Sequence, residues 1–328
     1  MVLESILGEG NIRKFPILIG LVTLLISLGA IYFANLIFPA HASVVSVAFI
    51  TIGLVPMIHN VLSREAEDEM LSKKSSTTFF VRHFDLIQMY VWVFVGIILA
   101  FSVAYVVVPT DVKPTVFDEQ IRAFCAISGS DACAGNTPSS ISGQATGLAV
   151  SQCKDPATSS VEGCTLFILE NNGGVLIFTI ILSLLYGAGA IFIIAWNASI
   201  LGVFFGEMFL MGQHVQSFGF LQGMLIGHGP PELFSYIFGA LAGAVLSAMI
   251  SKGQLFTHHF GIVIKDVAFL AILALFSVAY GAATEAVGIM GMTEVYFLMG
   301  FAYLLIIIVA VFFYGKKPTQ HNLLAWGR

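Results

Sequence analysis

One histidine and one glutamate, four residues apart in an otherwise apolar stretch, are the side chains best placed to do chemistry in this sequence. His228 and Glu232 stand in the segment GHGPPELFSYIFGALAGAVLS, residues 227–247. Gly227 and Gly229 allow a sharp backbone entry, and Pro230 and Pro231 suit the first turn of a helix. A helix that starts there puts His228 at its mouth. Glu232 then falls in its first turn, where the helix dipole favours negative charge. The four-residue spacing lets the two side chains meet on one helical face. Ionisable groups in such a setting are costly, and they turn toward a protein interior or a wet cavity. Glu207 is the third ionisable group of the region. Such a set can hold a proton, a cation or a substrate at the start of a broken helix. The bland alternative is a hydrogen-bonded pair that locks a turn. One His and one Glu lack further ligands at metal spacing, and there is no HExxH element. The sequence therefore assigns no metal, no cofactor and no catalytic residue.

The elements that must position this pair are membrane helices. Of 328 residues, 58% are hydrophobic and only 10% charged, against about 25% charged in soluble domains. No basic patch interleaved with aromatics is present, which excludes a nucleic-acid partner. A transmembrane helix needs about 20 apolar residues. Candidate spans cover residues 15–38, 43–62 (interrupted by Pro56), 86–108 and 174–196. Short apolar segments follow at 197–211 and 230–250, and a last hairpin covers 266–288 and 294–314. The expected fold is all-α and polytopic, with about eight spans. The alternative is six spans plus a re-entrant hairpin within residues 197–250.

Charge sets the orientation. Arg13 and Lys14 precede the first span, and Lys316, Lys317 and Arg328 follow the last. By the positive-inside rule both termini, and the charged loop 63–85, are cytoplasmic. Residues 109–172 then face outward. This segment holds three basic and seven acidic residues and all four cysteines, Cys125, Cys133, Cys153 and Cys164. Four cysteines in one polar loop suggest two disulfides in an oxidising compartment. Neighbour pairing, Cys125–Cys133 with Cys153–Cys164, is the expected arrangement among three. A four-cysteine zinc site is disfavoured because the paired short spacings of such sites are absent. Three regions result: a three-span region at 1–108, a stapled outer loop at 109–172, and a C-terminal membrane region at 173–328.

Small and amide side chains mark where helices approach each other. Gly187, Gly202, Gly206, Gly239 and Gly243 are read as packing positions, the last two as a small-xxx-small face. Asn172 stands at the outer end of the fourth span and Asn197 at its inner end, where asparagine caps helices or bonds across them. Asn197-Ala198-Ser199 fits the glycosylation pattern, but its expected cytoplasmic position argues against use.

An asparagine-ended span with glycines about it, followed by an HGxxEL element and a Gly/Ala-rich helix, resembles the stage II sporulation protein M family. The matching residues are Asn172, Gly187, Asn197, Gly202, His228-Gly229 and Glu232-Leu233. The resemblance covers residues 172–247, under a third of the chain. It departs from the family pattern at Gly227, where a proline commonly precedes the histidine, and in the cysteine-bearing loop. The resemblance implies a multi-spanning membrane protein. In sporulating members it implies work in a complex that anchors cell-wall hydrolases during engulfment. The cysteine loop and high apolar content fit a non-sporulating source, such as an archaeon, so only the general role carries over.

Three functions follow. The first is a non-enzymatic scaffold or remodelling component in the cell membrane, contacting lipid and protein partners or further copies of itself. The second is a transporter or permease subunit that uses the broken helix at His228–Glu232. The third and weakest is an intramembrane hydrolase using the pair for acid–base work.

Overall fold

The computed structural model describes residues 17–71, 79–128, 153, 160–210, 222–223, 225–251, 253 and 260–314. Every regular element among them is helical. The long helices are α1 (Ile17–Ile37), α2 (Ala42–Leu71), α3 (Phe79–Val107), α4 (Val161–Tyr186), α5 (Ala190–Leu210), α6 (Gly229–Ser251), α7 (Phe260–Ile289) and α8 (Thr293–Tyr314). The first seven are long and apolar enough to cross a bilayer, and α8 carries a shorter apolar run, Thr293–Val309. Large apolar side chains such as Leu25, Leu36, Ile272 and Leu298 point outward from the bundle. In water that surface would be a liability, whereas in lipid it is the solvent-facing side. The chain is an all-α polytopic membrane protein.

The structure moves two boundaries. A single span over residues 174–196, with a short crossing beginning at Asn197, is not what forms. Gly187 ends α4 with φ 65°, and its N–H donates to the Ser183 carbonyl at 2.7 Å. At Gly189 an added Cβ would collide with the Leu182 backbone. Positive φ and close backbone approach are both glycine properties, so the chain reverses here rather than after Trp196. Gly187 is thus a turn residue and not a packing position. Asn197 lies well inside α5, and its side chain donates to the Ile193 carbonyl one turn back. At the other boundary, α4 begins at Val161, capped by the Ser160 hydroxyl accepting from the Gly163 N–H at 3.0 Å. Asn172 is therefore three turns into that helix. Pro56 is contained within α2.

The helices group into two lobes. In the N-terminal lobe α1 packs on α2 and α3, and α3 packs on α5. In the C-terminal lobe α4, α6 and α7 pack on one another, with α8 beside α7. Each lobe has a close seam between helices. An added methyl at Gly202 would lie 2.5 Å from Phe101 Cβ, and one at Gly206 would lie 2.8 Å from Tyr105 Cβ. Residue numbers rise together along that contact, so α3 and α5 run parallel. The Ser102 hydroxyl lies 3.0 Å from the Gly202 carbonyl across the same seam. In the C-terminal lobe a methyl at Gly239 would meet Leu176, and one at Gly243 would lie 2.6 Å from the Ile180 carbonyl oxygen. Helices α4 and α6 therefore also run parallel. Lipid tails remove the hydrophobic drive between helices, so close van der Waals contact over small residues supplies it instead.

Short helices Lys113–Val116 and Asp118–Ser128 sit on the N-terminal lobe. Phe117 packs against Phe101 and Tyr105, and Gln120 donates to the Ser43 carbonyl at 3.1 Å. A Cys153–Cys164 disulfide forms at the start of α4. It packs against Ile168 of α4 and Ala282 and Ala286 of α7. Cys133 and the Cys125 side chain lie outside the described residues, and so does their expected pairing.

Candidate functional site

The most enclosed of the membrane helices is α6, and its first turn is where the polar side chains converge. The chain enters over a tight turn in which the Gly227 N–H donates to the Gly223 carbonyl at 2.7 Å. The Glu232 N–H then donates to the His228 carbonyl at 3.2 Å, which makes His228 the residue that opens the helix. Pro230 and Pro231 occupy the positions whose amides have no helical acceptor, so nothing is lost by their missing N–H groups. Glycine permits the crowding around this turn. An added Cβ at Gly227 would collide with the Tyr296 phenol, and one at Gly300 would collide with the Ile226 carbonyl.

Four helices contribute to the site. From α4, Asn172 Nδ2 donates to Glu232 Oε1 at 3.0 Å, and Asn171 Nδ2 reaches Asn172 Oδ1 at 3.3 Å. From α7, Glu285 brings a carboxyl oxygen to within 4.8 Å of one from Glu232. Gly281, one turn before Glu285, makes that approach possible, because a methyl there would lie 2.9 Å from Glu232 Cγ. From α8, the Tyr296 hydroxyl sits 2.9 Å from His228 Nδ1 and donates to the Gly223 carbonyl at 3.1 Å. One ligand atom each from His228, Glu232 and Glu285 lies within 4.8 Å of the others. All three side chains are half-buried.

The Tyr296 hydroxyl can give its one proton to the Gly223 carbonyl, with the His228 Nδ1–H donating to the phenol oxygen. In that tautomer the neutral ring carries its lone pair on Nε2. Two carboxyl groups this close repel unless a proton or a cation lies between them. The arrangement can therefore hold a proton, bind a cation, or tie four helices together.

The sequence-selected residues do not all meet. His228, Glu232 and Asn172 come together, with Gly229, Pro230 and Pro231 shaping the turn. Glu207 belongs to the other lobe, where it lies beside Tyr105. Asn197 bonds back within its own helix, to the Ile193 carbonyl. Two members of the site went unselected, Glu285 and Tyr296. Glu285 carried a usable signal, since it is an acid inside an apolar span. Tyr296 had none, because a tyrosine near a helix start is ordinary.

The family model described as stage II sporulation protein M matches residues 89–288, which run from α3 to the last turns of α7. That stretch holds Asn172, His228, Glu232 and Glu285 and ends before Tyr296. No curated protein and no solved structure matches the chain.

Proposed function

Because the chain belongs to the stage II sporulation protein M family, we propose that it is a non-enzymatic component of a membrane complex. It serves as a scaffold for partners or for membrane remodelling. In this reading both termini are cytoplasmic and the cysteine-bearing segment faces outward in the cell membrane. The observation that carries the reading is the seating of Cys153–Cys164 on Ala282 and Ala286 of α7. Those residues lie one turn or less from Glu285. The polar cluster ties α7 to α4, α6 and α8, and the disulfide seats the end of the polar segment on the same lobe. A partner that grips this segment would thus be held by the four-helix lobe rather than by a loose tether. No catalytic step is assigned to the chain.

The test is assembly in native membranes, followed by blue native electrophoresis after mild solubilisation. Deleting residues 129–152 is expected to shift the protein from a large complex to its own mass. Glu232→Gln, which keeps the hydrogen-bonding shape, is expected to leave the complex intact. A complex that survives the deletion would sink the scaffold reading.

A transporter or permease subunit is the second reading, favoured by the carboxyl and imidazole groups at the mouth of a proline-started membrane helix. It predicts ion or solute flux in proteoliposomes that Glu285→Gln abolishes in a folded protein. Equal flux in the variant and the parent would dismiss it.

A further inference from the structure

We propose that His228, Glu232 and Glu285 form a binding site for a first-row divalent transition-metal cation of the zinc type. The proposal does not rest on the scaffold reading. It starts from the donor set. The carboxylate oxygens of Glu232 and Glu285 only accept when ionised. His228 joins them in the tautomer whose Nδ1–H donates to Tyr296, which leaves the Nε2 lone pair to ligate. One ligand atom of each side chain lies within 4.8 Å of the others, and two carboxyl groups that close are balanced by a proton or by a cation. Asn172 is the one amide donor on Glu232 among the described contacts, and it occupies a single oxygen.

The chemistry of the set selects the cation. Calcium and magnesium prefer oxygen ligands throughout, whereas imidazole with carboxylate suits zinc and its neighbours. Tetrahedral zinc holds N and O atoms at about 2.0–2.2 Å, which sets ligand atoms about 3.4 Å apart. Small rotamer changes of the two glutamate arms close the gap from the present spacing. A water completes the fourth position.

The surroundings are those of a built site. Tyr296 plays the orienting part that an outer partner plays for a ligating histidine, fixing both tautomer and ring. Gly281 lets α7 come close enough for Glu285 to reach the pair on α6. A bound ion would pin the mouth of α6 to α7 directly, adding a clamp between elements that otherwise meet through hydrogen bonds.

The experiment uses the full chain in nanodiscs, untagged and carrying His258→Ala and His259→Ala to remove the adjacent histidine pair. Metal is stripped with chelator, Zn2+ is added back, and bound metal is counted after dialysis by mass spectrometry. About one zinc per chain is expected, with an X-ray absorption shell of one imidazole and carboxylate oxygens. Glu285→Gln should weaken binding by about 100-fold or more, and Tyr296→Phe by about tenfold. A purely structural tyrosine would leave zinc affinity unchanged. Parent protein that retains no zinc, or an absorption shell without imidazole, overturns the proposal. So does undiminished binding in a folded Glu285→Gln variant. If that variant fails to fold, the absorption spectrum of the parent decides alone. Zinc binding is read out without reference to complex assembly, so either reading can fail while the other stands.

Discussion

The two lobes use the same device to pack and differ in what they bury. Gly202 and Gly206 on α5 admit α3, and Gly239 and Gly243 on α6 admit α4, both as parallel helices in close contact. The N-terminal lobe then fills its interior mostly with apolar groups and separate polar side chains, such as Gln120 and several hydroxyls. Thr23, Ser27 and Tyr90 are buried there with no hydrogen-bond partner among the described residues for their side-chain oxygens. The C-terminal lobe instead gathers an imidazole, two carboxyls, an amide and a phenol at the mouth of α6, the amide buried and the others half-buried. An unpaired buried hydroxyl costs far less than an unpaired buried charge. Ionisable groups must therefore be answered from neighbouring helices. The comparison separates a lobe that holds shape from a lobe that holds a site.

The largest way to break the comparison is through the shared device. Gly243→Val forces side-chain carbon against the Ile180 carbonyl and Ser183, neither of which can yield without moving α4. It should cost about 3 kcal/mol, the upper end for overpacking. Gly202→Val should cost a similar amount in the other lobe. Thermal unfolding in detergent measures both, and a loss confined to one variant would show that the seams are not equivalent.

The disulfide sharpens the contrast next. Cys153 and Cys164 are separated by 11 positions and rest on the C-terminal lobe. Replacing both with serine should cost about 2–3 kcal/mol by releasing a short loop in the unfolded chain. Hydrogen exchange should quicken in α4 and α7 and stay unchanged in α1 and α3. Uniform quickening would mean that the lobes unfold as one unit.

A single donor comes third. Asn172→Leu removes the amide that Glu232 Oε1 accepts from, and the stranded oxygen should cost about 2 kcal/mol. Glu207→Gln in the N-terminal lobe keeps a partner for Tyr105 and should cost under about 1 kcal/mol. Matching losses would erase the distinction between site and shape. The smallest effect belongs to Ser102→Ala, which removes one interhelical hydrogen bond to Gly202. About 0.6 kcal/mol is expected by the same unfolding assay, and a loss several times larger would reveal a polar role in the apolar lobe.

Much of this was legible in the residues alone. Long apolar runs fixed an all-α membrane protein, because backbone polar groups in lipid must be satisfied within each segment. The proline pair and flanking glycines at residues 227–231 marked a helix start, since both residue types act on local backbone. His228 and Glu232 stood out for the same local reason, four residues apart on one turn. The turn at Gly187 was harder to read: glycine serves both packing and reversal, and only the backbone angle tells them apart.

What the sequence could not decide was which distant residues meet. Glu285 lies 53 positions from Glu232 and Tyr296 lies 68 from His228, the latter separation carried by one hydrogen bond. Helix periodicity reports which face a residue occupies, but not which helix that face meets. In lipid even the hydrophobic pattern loses that information, because the outside of the bundle is as apolar as the inside. Only the packing of α6 between α4 and α7, with α8 laid over its mouth, brought Asn172, Glu285 and Tyr296 to the pair. The same packing left Glu207 in the other lobe.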